Sequence, residues 1–492
     1  MKLKAFLDSK IVRGEEAGET FLTWRETIAY ALGRGAQGMG TSMMSSNYVN
    51  YFVTNLLGID MIVFGSIRLW GGLWDAVNDV IQGILVDKTR TRHGKMRPYI
   101  LYAPFAVAFV TVLFFMGGPG LPMGWRLAWV TTLFVAWDMA YTAFDIPMGA
   151  LAFSITSNGV ERTKLFGFSS IVRAVLGALP AGFVTIALAI PYFKENTAPA
   201  YLVAAVMSAA GMVIFTRFTF RYTRERAVPS AETPSAVECL RLLLQNRPLF
   251  MLFLSNMLFL LATVPSAVTM YFAVDLMGDS KFVLFLTIAL APAPFIAGIG
   301  VPMLAEKLGA KADFRKIYMG CCLAAALVHG VFFLACRSGL VNKPSTQAVG
   351  WPMAILVVAL LALSVIPLEF KNLCGKEMEA ETVDCVEWKT GKRAEGVMLS
   401  LMSFTGKLTN SWSSSIALFV LGLAKYAAHE DAIPVPQTDT AKFALFALFT
   451  LVPIFGYLLM LIPLKFYNIT AEGHRRMLAE IGERKQRERT EQ

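Results

Sequence analysis

At 492 residues, 55% hydrophobic and only 16% charged, the chain is far more apolar than a soluble domain of this length, which points to an integral membrane protein. The formal net charge of +10 does not make a nucleic-acid partner. Most of the basic residues fall between apolar stretches, where they meet anionic lipid headgroups, and no second feature supports nucleic acid.

The amino-terminal stretch "MKLKAFLDSKIVRGEEAGETFLTW" has charges where a signal peptide has its apolar core, so no cleavage is expected. A hydrocarbon core of about 30 Å takes about 20 helical residues to cross. Stretches of that kind centre near residues 42, 73, 107, 138, 178, 210, 261, 292, 325, 361, 411 and 454, predicting an all-α membrane protein of twelve transmembrane helices. The first, "ALGRGAQGMGTSMMSSNYVNYF", is unusually polar. The distribution of Lys and Arg puts both termini on the cytoplasmic side.

The longest polar break divides six spans from six, giving an amino-terminal half (1–216), a cytoplasmic linker (217–247), a carboxy-terminal half (248–466) and a tail (467–492). A weak echo between "VDKTRTRHGK" after the second span and "AEKLGAK" after the eighth supports two pseudo-symmetric halves. The tail reads as a solvated helix. Cys239, Cys321, Cys322, Cys336, Cys374 and Cys385 have no metal-binding spacing and read as reduced structural residues. His329, alone in an apolar span, reads as a packing residue.

The chemistry sits in the second and fourth spans. "WDAVNDVIQG" places Asp75, Asn78 and Asp79 at i, i+3 and i+4, on one helix face. "AWDMAYTAFDIP" places Asp138, Thr142 and Asp145 at i, i+4 and i+7, again on one stripe. A carboxylate at mid-bilayer costs about 2.5–3.5 kcal/mol on insertion scales. The bland explanation is structural pairing with Arg34, Arg68, Arg173, Lys371 or Lys407. A simple ion pair, however, needs one carboxylate and not two on one face. If the two spans meet, Asp75, Asn78, Asp79 and Thr142 form an all-oxygen, net-negative cage, with Asp75 and Asp79 as its charged ligands, suited to a small hard monovalent cation and not to a transition metal.

These stretches, with "VDKTRTRHGKMRP", "SITSNGVERTKL" and "AETVDCVEWKTGKRAEGVMLSLMSFTGKL", resemble the glycoside-pentoside-hexuronide:cation symporters of the major facilitator superfamily. The resemblance covers essentially the whole chain. It implies the major facilitator fold in a bacterial inner membrane, with a sugar or sugar derivative carried together with Na+ or H+ and no other cofactor. Asp75, Asn78, Asp79 and Thr142 match the positions that bind the coupling cation, Asp145 a sugar-binding acid, and Tyr141 its aromatic neighbour. Lys407 matches a lysine that tethers the cation-site carboxylates, and Asp87, Lys95, Arg97 and Arg393 resemble gating charges.

Departures from the family pattern lie on the sugar side. An expected first-span aspartate gives way to "GAQGMG", with Gln37 as the nearby polar group. An expected tryptophan is Gly149, an expected fifth-span arginine is Ser170 with Arg173 a turn later, and an arginine before the first aspartate is Gly72 with Arg68 a turn earlier. Arg34, Arg173, Lys371 and Lys407 are four intramembrane cations, which favours an anionic solute such as a hexuronide. Arg34 could equally bridge to Asp138 or Glu369. An exporter or amphiphile carrier on the same fold, or a non-transporting solute sensor, are the alternatives. An enzyme is not expected, because no span end carries a nucleophile with its base.

Overall fold

The structure, a computed structural model, describes residues 7–11, 22–44, 46–117, 120–156, 159–188, 190–226, 241, 243–290, 292–308, 313–345, 347–390, 395–428 and 435–490. Cys239, Arg393, most of the expected linker and the end of the "AEKLGAK" echo lie outside these residues. The chain forms two compact units, residues 1–232 with 428–435 and residues 233–427 with 436–492.

In the first unit, α1 (Trp24–Met43), α2 (Met61–Lys88), α3 (Arg97–Met116), α4 (Met123–Ile155), α5 (Gly159–Ala187) and α6 (Thr197–Tyr222) follow one another with short connections. Helix α1 packs against α5 and α6, α3 against α4 and α6, and α2 against α4. The second unit contains α7 (Arg247–Leu258), α8 (Pro265–Tyr271), α9 (Phe282–Leu290), α10 (Pro292–Leu308), α11 (Phe314–Val341), α12 (Trp351–Thr390), α13 (Glu395–Leu423), α14 (Asp439–Lys465) and α15 (Ala471–Thr490). Among the described residues, 9 helical stretches are long and apolar enough to cross a membrane.

Outer faces are apolar, as lipid requires of a surface with no water to solvate it. On α11, Leu323, Leu327, Val331 and Leu334 are exposed at helical spacing, while Tyr318, Cys322, Ala325, His329 and Phe332 face inward. His329 Nδ1 lies 2.9 Å from the Ala325 carbonyl oxygen, as a satisfied packing residue would. The five described cysteines are free thiols.

A repeat that the sequence reading missed joins the two units in kind. Phe52–Leu56 and Phe272–Leu276 both widen into a π-helical turn after a Tyr. Leu57 N donates to the Phe52 carbonyl and Met277 N to the Phe272 carbonyl, each at 3.0 Å. Each turn ends at a glycine in the left-handed region, Gly58 (φ 64°) and Gly278 (φ 81°), a conformation that a Cβ disfavours. Two π turns with one register and one terminator are not expected by chance of short unrelated helices.

One expected boundary moves, and one expected solvated face is covered. Helix α6 runs through Tyr222, six residues past the expected end of the amino-terminal half at 216, with its C-cap bond from Thr223 N to the Thr219 carbonyl at 3.1 Å. The tail helix is not solvated all round. Trp388 Nε1 donates to Glu480 at 2.6 Å, His474 Nε2 lies 2.8 Å from Asp384, and Tyr467 donates to Glu381 at 2.8 Å. The Trp388–Glu480 and His474–Asp384 contacts, with Arg484 donating to the Trp388 carbonyl at 3.1 Å, dock α15 along the end of α12, which its charged composition does not reveal.

The polarity of the first span has a packing cause. Its glycines let α1 approach its neighbours closely: a Cβ on Gly38 would stand 2.4 Å from the Arg173 backbone carbonyl, and one on Gly35 2.4 Å from Leu176. Gly38→Ala is therefore expected to destabilise the protein by about 1–3 kcal/mol through overpacking. Thermal unfolding in detergent tests this against Gly83→Ala, where nothing lies within 4 Å and no loss is expected.

Candidate functional site

Helices α2 and α4 meet where the paired acids lie. Thr142 Oγ1 is 3.4 Å from Asp75 Oδ1 and donates towards it. Thr142 is fully buried and Asn78 is 1% exposed, with its Nδ2 lacking a hydrogen-bond partner. Asp75 and Asp79 are half-buried on the same stripe of α2. These four residues thus share one side of the α2–α4 contact.

One turn further along α4, Asp145 is the hub of a second cluster. Gln37 of α1, fully buried, donates from Nε2 to Asp145 Oδ1 at 2.8 Å and accepts from the Arg34 guanidinium at 2.5 Å. The Tyr141 hydroxyl also reaches Asp145 Oδ1, at 3.3 Å. Arg34 therefore acts on Asp145 through an amide and not as a direct ion pair, and its bond to Gln37 replaces the bridges to Asp138 or Glu369 considered from sequence. Arg173, on α5, packs its backbone and side chain against Gly38, and both its charge and that of Arg34 act on Tyr141. Close α1–α5 packing thus sets Arg173 against α1 beside Gln37, and the Gln37–Asp145 bond joins α1 to Tyr141 and Asp145 on α4.

Trp137 belongs to this cluster and was missed. Its ring stacks on Tyr141 at 4.8 Å with an interplanar angle of 6°, and its Nε1 donates to Thr111 at 3.0 Å. The spacing of Trp137 and Tyr141, i and i+4 on one face of α4, was the available signal.

Lys407, the expected tether, lies on α13 in the second unit. Of the expected gating charges, Asp87 lies in the last turn of α2. Arg97 opens α3, donating to the Phe220 carbonyl at 2.6 Å with its guanidinium 4.6 Å from the Phe220 ring. What organises the loop between α2 and α3 is Glu225, unremarked in the sequence. Its carboxylate accepts the backbone N–H groups of Lys95, Met96 and Arg97 at 2.8, 2.9 and 3.0 Å, an anion seated at a helix N-terminus. Gly94 (φ 101°) gives that carboxylate room. Nearby, Glu26 pairs with Arg226 at 2.5 Å, and buried Glu161 accepts from Thr156 at 2.7 Å and from Leu22 N at 3.0 Å.

An all-helical, multi-span chain with buried carboxylates meeting neutral donors between helices is built like a membrane transporter. A crystal structure of a D-xylose-proton symporter shares the fold, with a TM-score of 0.60 at 13% identity, covering 92% of this chain and 99% of that one. The sequence profile of the family described as MFS/sugar transport protein matches residues 29–471. The chain belongs to that family of the major facilitator superfamily, and within it to the glycoside-pentoside-hexuronide:cation symporters. It is a multi-pass protein of a bacterial inner membrane. An isoprimeverose transporter of Lactiplantibacillus pentosus is 29% identical over 463 residues, covering 92% of this chain and 90% of that protein. A glucuronide carrier protein homolog of Escherichia coli (strain K12) is 28% identical over 477 residues, covering 94% and 96%.

Glu225→Ala leaves three backbone donors without their charged acceptor and is expected to cost about 1–3 kcal/mol of stability. Thermal unfolding reads this directly, and Glu225→Gln, which keeps an acceptor oxygen, should recover part of the loss.

Proposed function

We propose that the protein takes up an acidic sugar derivative together with Na+ or H+ by alternating access. The observation that carries this reading is the continuity of the two clusters: Thr142, beside Asp75, and Asp145, bound to Gln37 and Tyr141, stand one turn apart on α4. The coupling cation binds at Asp75, Asn78, Asp79 and Thr142. Filling that site neutralises charge next to Asp145 and steadies α4 for the solute. Linkage makes the effect reciprocal, and couplings of about 1–3 kcal/mol, or roughly 5–150-fold in affinity, are typical.

On the solute side, Asp145 and Gln37 meet sugar hydroxyls, and the Trp137–Tyr141 pair offers a flat aromatic face to the C–H side of a ring. Arg34 and Arg173 supply forked donors that a carboxylate can engage twice. The name of the Escherichia coli glucuronide carrier homolog supports an acidic sugar. Asp87, Lys95, Arg97 and Arg393 control opening to the cytoplasm, where both termini lie. Nothing in this reading calls for covalent chemistry, and the protein is a carrier, not an enzyme.

The same reading explains the span count. Helices α1, α2 and α13, of 20, 28 and 29 residues, are long enough to cross but fall outside the 9 strongly apolar stretches. They are the helices that carry Arg34 and Gln37, Asp75 to Asp79, and Lys407, so site residues depress their hydropathy. Counting them restores twelve spans.

Uptake of labelled sugars into membrane vesicles, with and without an inward Na+ gradient, tests the reading. Asp79→Cys should abolish accumulation above equilibrium, and retained uphill uptake would remove the acid pair from the mechanism. Arg173→Ala should raise the half-saturation concentration for an acidic sugar about tenfold or more, as loss of a charged hydrogen bond does. An unchanged value would reduce Arg173 to a packing role against Gly38.

A further inference from the structure

Thr111 lies on α3, outside both acidic clusters, in the otherwise apolar stretch "VAFVTVLFF". It is fully buried, and its hydroxyl makes two bonds. It donates to the Val107 carbonyl one turn earlier on α3, at 2.7 Å, and the Trp137 indole N–H donates to it at 3.0 Å. A hydroxyl has one proton and an indole nitrogen only donates, so the sense of the chain is fixed. Thr111 spends its proton on its own helix and presents a lone pair to α4.

Trp137 is only partly buried, and the terminal torsion of an aromatic side chain has a broad energy well, so packing alone does not fix the indole plane. The bond to Thr111 does. The held indole in turn sets the plane of Tyr141, stacked on it at 4.8 Å and 6°, while Phe144 bounds the phenol edge-on at 6.4 Å. The Tyr141 hydroxyl reaches Asp145 Oδ1 at 3.3 Å, longer than an ordinary O–H···O bond, so a small tilt of the ring breaks it. Gln37 donates to the same oxygen from α1 at 2.8 Å, and the two donors together orient the carboxylate.

We infer that Thr111 is a positioning residue for solute recognition: from α3 it fixes the Trp137 plane and, through Tyr141, the carboxylate of Asp145, without touching the solute. That role rests on the reading of Asp145, Trp137 and Tyr141 as the solute side of the carrier. It gives α3, which carries no residue of either acidic cluster, a part in setting affinity.

The test is calorimetric titration of the full chain with methyl β-glucuronide in Na+-containing detergent buffer. Thr111→Val keeps the side-chain volume but removes the acceptor, and should raise the dissociation constant about three- to tenfold, the scale of one hydrogen bond. Thr111→Ser, which keeps the hydroxyl, should restore wild-type affinity. Trp137→Phe cuts the same bond from the other side, so adding Thr111→Val to it should cause no further loss. A Thr111 that serves only packing would weaken binding by the same factor in both backgrounds, or leave it unchanged in both, and either result overturns the inference while the uptake reading stands. Thermal unfolding of each variant confirms that the titrated protein is folded. A wild type that neither binds nor accumulates the glucuronide overturns the acidic-sugar reading and, with it, the role of Thr111.

Discussion

A carboxylate inside hydrocarbon persists only where something answers its charge, at a cost of about 2.5–3.5 kcal/mol if nothing does. Around Asp145 the direct answers are neutral donors, and one neutral donor also faces Asp75. Thr142 faces Asp75, and Gln37 and Tyr141 share one oxygen of Asp145. Arg34 reaches Asp145 only through the Gln37 amide. An arginine placed directly on Asp145 would hold the helices more firmly but would also satisfy the acid completely. The amide intermediary keeps both charges near one another without closing either to a ligand.

That arrangement depends on close helix packing. Gly35 and Gly38 admit Leu176 and the Arg173 backbone against α1, and Gly33 admits Met148 of α4 and Thr219 of α6. Small residues let backbones approach where no hydrophobic drive exists between helices in lipid. The same residues that make the first span poorly apolar therefore bring Arg34, Gln37 and Arg173 to Asp145. At the other end of the unit, Glu225 ties the α2–α3 loop to the end of α6 by three backbone bonds, with Glu26, Arg226 and Glu161 beside it.

How much of this was legible in the sequence depends on the range of each contact. The i, i+3, i+4 spacing of Asp75, Asn78 and Asp79, and the placement of Thr142 and Asp145, follow from helical periodicity alone. The partner of Arg34 did not, because Gln37 was noticed only as the nearest polar group and Asp138 and Glu369 were equally charged choices. Glu225 escaped because it lies just beyond a helix and bonds to backbone more than a hundred positions away, which no local pattern encodes. The paired π turns at Phe52 and Phe272 were visible in principle as "YFVTNLLG" and "YFAVDLMG", a better repeat than the charged-loop echo. The docking of α15 on α12 was hidden by the tail's high charge, since polar bonds through His474, Glu480 and Arg484 accompany only a short apolar contact through Met477 and Ile481.

The central claim is that Asp75 and Asp79 bind the cation whose gradient drives uptake. Calorimetric titration of Na+ into purified protein tests it most directly, wild type against the double variant Asp75→Asn with Asp79→Asn. The account predicts saturable binding in the wild type that disappears in the double variant, with the fold retained by thermal unfolding. Saturable Na+ binding that survives the double substitution would contradict it and place the coupling site elsewhere in the chain.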